Sequence, residues 1–155
     1  MSSFNYKTKI LVVENENTTR VIFRGMLNRM GYLRVDEADD GERAWKMILK
    51  NEHLKSVSPV YELILCDLDM PNMSGIDLLK KLREDKRFKN IPFIMITGHT
   101  AQKHVVSAVT LGVDDYLIKP LTENQLQISL GKAYGKFLER QKKIQGASEK
   151  VFKRA

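Results

Sequence analysis

Asp67 closes the apolar run Leu63-Ile64-Leu65-Cys66 and is followed closely by Asp69, Pro71 and Gly75. A short unbroken apolar run bounded by turn residues reads as a strand buried on both faces, which delivers the carboxylate to that strand's C-terminal end. In open α/β sheets that edge is where ligands and chemistry collect. Three more apolar runs end in polar groups of complementary kind. Ile10-Leu11-Val12-Val13 leads into Glu14, Asn15 and Glu16, Ile91 to Thr97 ends on a hydroxyl, and Tyr116-Leu117-Ile118 runs into Lys119. With the strands parallel, a carboxylate cluster, a hydroxyl and an ammonium converge on one edge. Hard oxygen donors at that density suit Mg²⁺, which takes one or two carboxylates and fills its remaining positions with water and phosphate oxygens. Moving a phosphoryl group onto a carboxylate needs such a cation, because the nucleophile and the phosphate repel each other. Asp67 is then the nucleophile, Thr97 a hydroxyl donor and Lys119 a second positive charge for the phosphoryl oxygens.

The elements that must position these residues alternate in period. Lys9 to Val13 reads as a strand. Thr18 to Met30 places Val21, Ile22, Met26, Leu27 and Met30 at helical spacing and stops at Gly31, in the position of a C-cap. Leu33 to Ala38 follows as a strand, and Gly41 to Leu49 as a helix with Ala44, Met47 and Ile48 on one face. After a polar connector, Asn51 to Ser58, come the Asp67 strand and a helix from Ser74 carrying Ile76, Leu78, Leu79 and Leu82. The strand Ile91 to Thr97 and a helix from Thr100 to Leu111, with Val105, Val106, Ala108 and Val109, come next. Tyr116 to Ile118 is the fifth strand, and the last helix opens at Thr122, where Thr122 and Gln125 have capping-box spacing. Gly131 and Gly135 weaken that helix by up to about 1 kcal/mol each relative to Ala. Past Gln145, Gly146-Ala147-Ser148 suggests disorder, or a helix formed only against a partner. Alternation of strand and helix implies a parallel sheet with helices on both faces.

At 155 residues and 43% hydrophobic, the chain is expected to be one domain with a substantial core. Cys66 is the sole cysteine, so it forms no intramolecular disulfide and reads as a core thiol, in keeping with a reducing cytoplasm. No stretch approaches the ~18 to 20 apolar residues that span a bilayer, and Met1 to Lys9 has no hydrophobic signal region. A cytoplasmic protein without membrane insertion is expected. The net charge of +7 is concentrated from Lys132 onward, where eight basic residues face two acidic ones. Such a tail can bind nucleic acid, an anionic membrane or an acidic partner, but a solvated helix end is the simpler reading. A DNA-binding output is disfavoured, because the ~30 residues after the fifth strand hold one helix and a tail, too few for a separate helix-turn-helix.

Four segments, taken in order and spacing, are far more specific than any one alone. They are Ile10 to Glu14, Asp67 to Gly75 with Met70-Pro71, Ile94 to Gly98 with Thr97, and Asp115 to Pro120 with Tyr116 and Lys119. Together the chain from Lys9 to about Phe137 resembles the CheY-type receiver domain of a two-component response regulator, of the single-domain, chemotaxis-like kind. The resemblance implies a five-stranded parallel sheet of order 2-1-3-4-5 with helices on both faces. It implies a receiver domain over 9–137, an N-terminal tail over 1–8 and a basic C-terminal extension over 138–155. Asp67 would take phosphate from a histidine kinase, a phosphotransfer protein or a small phosphodonor, becoming an aspartyl phosphate. Glu14, Asn15 and Asp67, with the backbone carbonyl of Asp69, would hold Mg²⁺; Lys119 would pair with Asp67 or its phosphate; Thr97 and Tyr116 would form the switch. In the family, phosphorylation draws the hydroxyl inward and the aromatic ring follows, which changes the surface that the fourth helix, fifth strand and fifth helix offer to a protein target. The Lys119–Pro120 peptide is cis in such proteins. The chain would be no enzyme beyond phosphorylating and dephosphorylating itself. Whether its last helix also pairs two copies into a homodimer stays open at this stage.

One position departs from the family's pattern. Asn15 stands where a second carboxylate usually ligates the metal, so a higher Mg²⁺ requirement is expected, with Asp69 or Glu16 restoring part of the charge. A receiver signalling without phosphate is the corresponding alternative. A haloacid-dehalogenase-like phosphohydrolase also uses an Asp-x-Asp, a strand-end hydroxyl and a lysine, but its nucleophile lies on the first strand and its late acids follow the lysine, whereas Asp114-Asp115 precede Lys119. Asp36 to Gly41 imitates an EF-hand opening, yet Ala38 and Met47 stand where ligands belong; these read instead as acids near a helix N-terminus. His53, His99 and His104 lack a second ligand at metal spacing and read as surface residues. Gly98 leaves the phosphoryl position open to water, so a short-lived acyl phosphate is expected.

Overall fold

The computed structural model describes residues 3–50, 59–98 and 102–154. Ten elements alternate along it: β1 (Ile10–Val13), α1 (Asn17–Arg29), β2 (Val35–Ala38), α2 (Gly41–Lys50), β3 (Leu63–Asp67), α3 (Gly75–Glu84), β4 (Phe93–Thr97), α4 (Gln102–Thr110), β5 (Asp115–Ile118) and α5 (Glu123–Arg154). All strand pairs are parallel and the sheet order is β2-β1-β3-β4-β5, as the alternation and the resemblance imply.

Because successive side chains of a strand point to opposite faces, the apolar runs split into two cores. Leu11, Val13, Ile64, Cys66, Phe93 and Met95 meet α2, α3 and α4, while Ile10, Val12, Leu63, Leu65, Ile94 and Ile96 meet α1 and α5. This is why β1, β3 and β4 show no polar alternation: both of their faces are covered.

Local chemistry fixes the helix ends. Gly31 has φ of 96°, a left-handed conformation that suits glycine, and its amide caps the Asn28 carbonyl oxygen at 3.0 Å. Ser74 and Asp77 form a reciprocal capping box that starts α3. Thr122 and Gln125 do the same for α5, with the Thr122 amide donating to Gln125 Oε1 at 2.9 Å and the Gln125 amide to Thr122 Oγ1 at 3.2 Å.

Several expectations shift. In α1 the buried residues are Phe23 and Leu27, whereas Val21 and Ile22 are exposed; in α4 Ala108 is buried while Val106 and Val109 face outward. A stripe read from spacing alone can rotate by one position, since it does not say which side the sheet takes. The segment before β1 packs against the domain: Phe4 is buried, stacks edge-on against Tyr134 with centroids 5.1 Å apart, and accepts the Tyr32 hydroxyl at 2.9 Å on its carbonyl oxygen. Past Gln145, where disorder or a helix formed only against a partner is expected, α5 continues unbroken, 32 residues in all. Extending a helix already nucleated on the sheet needs no new nucleus, which offsets the cost of one glycine. The connector Asn51 to Ser58, with His53, and residues 99–101, with His99 and Thr100, lie outside the described residues. None of the described helices is long and apolar enough to cross a membrane.

Candidate functional site

Strand register assembles the site. Val13 pairs with Cys66, so the next residue of β1, Glu14, stands beside Asp67 at the carboxyl edge. Glu14 shares a face with Ile10 and Val12, and Asp67 with Leu63 and Leu65, so both carboxylates turn toward the α1 side. Thr97 pairs with Ile118, which brings Lys119 over the end of β4, where its amide donates to the Thr97 carbonyl oxygen at 2.8 Å. The Lys119–Pro120 peptide is cis.

The three charged groups form one cluster. Lys119 Nζ lies 2.6 Å from Glu14 Oε2 and 3.3 Å from Asp67 Oδ2. Lys119 was expected to pair with Asp67; the shorter contact is to Glu14, and the ammonium bridges both. Glu14 is 1% exposed and Asp67 6%. Two buried carboxylates sharing one ammonium leave an uncompensated negative charge. Burial first, and the Glu14 charge second, push the Asp67 carboxyl up to about 6, against the opposing pull of Lys119 and of the Asp69 amide. Lys119 is held above its ordinary value by Glu14 and Asp67, in spite of its partial burial.

Around this centre the loops are tightly determined. The α3 N-terminus comes so close beneath the site that a Cβ at Gly75 would overlap the Asp67 carbonyl oxygen and stand 2.8 Å from Met95 Sδ. Glycine is required there by space, and its amide donates to the Leu68 carbonyl oxygen at 2.9 Å. Asn72, in the same loop, adopts φ of 66° and donates to Asp40 Oδ2 at 3.2 Å. Thr97 is fully buried, Tyr116 is half-buried, and their side chains are hydrogen-bonded. Burial first and the Asp69 charge second raise the Tyr116 hydroxyl above its usual value. Asn15 and Asp69 are exposed at the rim, and the Asp69 amide reaches toward Asp67 Oδ1 at 3.4 Å. Gly98 is exposed, with no atom of the described residues within 4 Å of where a Cβ would stand.

Two neighbours escaped the sequence reading. Arg20 donates to the Glu14 carbonyl oxygen at 2.8 Å and to Asn17 Oδ1 at 2.9 Å, which ties down the loop carrying Glu14 to Glu16. Phe23 turns its ring toward Lys119, 6.0 Å from Nζ. Both sit on α1, whose rotation against the sheet is not visible in spacing. The sequence's decoys dissolve: Asp36 and Glu37 lie in β2, paired with Lys9 at 3.0 Å and Arg24 at 2.9 Å, and Asp40 accepts the Arg43 amide at 2.7 Å at the start of α2. His104 is half-buried on α4, and the buried Cys66 thiol donates to the Asp67 carbonyl oxygen at 3.1 Å.

Among the described residues no three His, Cys, Asp or Glu side chains are grouped to hold a metal unaided. The donors at hand are the Glu14 and Asp67 carboxylates, the Asn15 amide and the Asp69 carbonyl. All are hard oxygens, too few for a cage, and the carboxylate pair carries surplus negative charge. That set fits Mg²⁺, which keeps several waters and needs only one or two carboxylates.

A doubly wound sheet with an acid–lysine cluster at its carboxyl edge and a buried strand-end threonine defines a class. Residues 10–130 match the response regulator receiver domain, and the chain belongs to that family. It is 39% identical over 127 residues to the chemotaxis protein CheY1 of Helicobacter pylori, covering 82% of this chain and 97% of that one. Its fold matches the chemotaxis protein CheY4 of Vibrio cholerae with a TM-score of 0.70 and 25% identity, over 81% of this chain and 98% of that one. It also matches the receiver domain of a Pseudomonas aeruginosa sensor histidine kinase, whose structure has a magnesium ion coordinated in the active site cleft, with a TM-score of 0.70 and 26% identity over 83% and 98% of the two chains. The phosphohydrolase alternative is thereby set aside.

Proposed function

We propose that Asp67 is the phosphoacceptor of a chemotaxis-like phosphorelay, fed by a histidine kinase, a phosphotransfer protein or a small phosphodonor. The observation that carries the reading is the buried Glu14–Lys119–Asp67 cluster, with the Lys119 ammonium 2.6 and 3.3 Å from the two carboxylates. An Asp67 oxygen attacks the donor's phosphorus. With a phosphohistidine donor the new O–P bond forms as the P–N bond breaks, and the leaving imidazole keeps the electron pair and takes a proton; with acetyl phosphate the P–O bond breaks and acetate leaves with the pair. Lys119 is placed to follow the negative charge from the carboxylate to the phosphoryl oxygens. Glu14, Asn15, Asp67 and the Asp69 carbonyl would hold Mg²⁺, which when bound neutralises charge between nucleophile and phosphate.

Thr97 and Tyr116 then convert the added charge into a surface change. Thr97 is buried at the end of β4 and hydrogen-bonded to Tyr116, so a phosphoryl oxygen that recruits the hydroxyl releases the ring. The readout face is α4, β5 and α5, where Val106, Val109 and Ile118 leave apolar surface exposed for a protein target. Exposed Gly98 gives water access to the phosphoryl position, which supports a short-lived acyl phosphate.

Incubation with acetyl phosphate and Mg²⁺, followed by intact-mass and peptide analysis, tests the assignment. One phosphoryl increment on the Asp67 peptide is expected, absent in Asp67→Asn. No labelling at millimolar Mg²⁺ would leave a receiver that signals without phosphate, the reading that Asn15 favours.

A further inference from the structure

Beyond Arg140, α5 leaves the domain. Its last ties are Lys136 Nζ on the Asp114 carbonyl oxygen at 2.7 Å and Arg140, which meets Asp114 Oδ1 at 2.5 Å and the Asn90 carbonyl oxygen at 3.1 Å. Asp114, buried just before β5, also takes Arg83 at 3.3 Å and the Phe93 amide at 2.8 Å. The point of departure is thus fastened to α3, β4 and β5 at once. Residues 141–154 project from it as helix, about 21 Å long at 1.5 Å per residue.

The projection is amphipathic. Ile144 is 44% exposed, Val151 71% and Phe152 86%. Leu130, buried on the sheet, and half-buried Phe137 share a seven-residue spacing with Ile144 and Val151, so the face that packs on the sheet continues past its edge with none of the described residues covering it. Away from that stripe stand Lys142, Lys143, Lys150, Lys153 and Arg154 against Glu149 alone, a net +4 over residues 141–154.

We infer that this overhanging stripe is a docking face for an acidic amphipathic helix of another protein. The stripe faces the same way as the residues beneath the sheet, so a flat bilayer laid along it would have to occupy the space of the domain body. A rod about 10 Å across fits the corner between the projection and the domain. A second copy would bring two segments of +4 together, whereas Glu or Asp flanking a partner's apolar stripe would pair with the lysines as flanking charges do between paired helices. This site lies at the amino edge of the sheet, away from Asp67, and stands whether or not Asp67 is phosphorylated.

Two labelled synthetic three-heptad peptides, both with Leu at a and d, one with Glu and one with Lys at e and g, test the inference by fluorescence anisotropy with the full chain. The Glu peptide should bind at least about tenfold more tightly than the Lys peptide, and added salt should weaken it. Val151→Asp with Phe152→Asp should cost at least about tenfold, and Lys143→Glu with Lys150→Glu should abolish the preference for Glu. These positions lie past the last tie to the body, so urea midpoints should not move. Equal binding of both peptides, binding of neither, or unchanged binding by the Asp variants would overturn the inference. So would Val151-dependent dimerisation in sedimentation velocity, which assigns the stripe to a second copy, or Val151-dependent pelleting with phosphatidylserine vesicles, which assigns it to a lipid surface.

Discussion

Neutralising Asp67 should stabilise the unphosphorylated, metal-free protein, and only above about pH 5. Burial and the Glu14 charge raise this carboxyl from 3.8 to about 6 in the fold. Between those values the native state holds more protons than the unfolded state, so stability is fully present below pH 3.8 and falls as pH rises through about 6. At about 1.36 kcal/mol per pH unit the loss is about 3 kcal/mol. Water at the mouth of the cleft screens part of it, leaving about 2 kcal/mol. Asp67→Asn keeps the shape and has no charge to lose, and Lys119 retains its 2.6 Å contact to Glu14, so no ammonium is orphaned. Urea unfolding in a chelator should therefore give matching midpoints at pH 4. At pH 7.5 Asp67→Asn should lead by roughly 1 M, taking a slope of about 2 kcal/mol per molar. Added Mg²⁺ should then stabilise the wild type and close the gap. An Asp67→Asn protein no more stable than wild type at pH 7.5, or a lead that persists undiminished at pH 4, would refute the electrostatic account of the site.

Four further outcomes are expected. Gly75→Ala forces a Cβ into the Asp67 carbonyl oxygen and should cost about 1–3 kcal/mol in urea unfolding while slowing phosphorylation, through displacement of α3. Asp114→Ala removes the buried carboxylate that pairs with half-buried Arg83 and the Arg140 guanidinium and should cost about 3–5 kcal/mol, read as a lowered thermal midpoint. Ser129, fully buried and with no hydroxyl partner among the described residues, should accept Ala with a gain of about 1 kcal/mol by the same assay. Asn15→Asp should lower the Mg²⁺ needed for half-maximal acetyl-phosphate labelling roughly tenfold, since it adds a charged oxygen donor at the rim.

The candidate site residues were legible because they end apolar runs. Asp67 and Thr97 end stretches that read as buried strands, Lys119 follows a short apolar one, and strict alternation with helices makes those strands parallel, so their ends share an edge. Two caps were legible for the same local reason: Gly31 and Thr122 satisfy backbone groups within a few residues of themselves. What spacing does not encode is the rotation of a helix against the sheet. Val21 and Ile22 fit an apolar stripe as well as Phe23 and Leu27 do, and only packing on β1 and β2 chose between them. Arg20 and Phe23 stayed hidden beside the site on that account. The sequence by itself determined which groups meet, through periods of two and 3.6 residues that are local properties of the chain. Tertiary structure decided how they meet: the register of Val13 on Cys66 put two buried carboxylates under one ammonium, and burial first, with the Glu14 charge second, raised Asp67 to about 6. It also decided that α5 would outrun the sheet, since the stripe from Leu130 to Val151 reads the same whether or not anything lies beneath it.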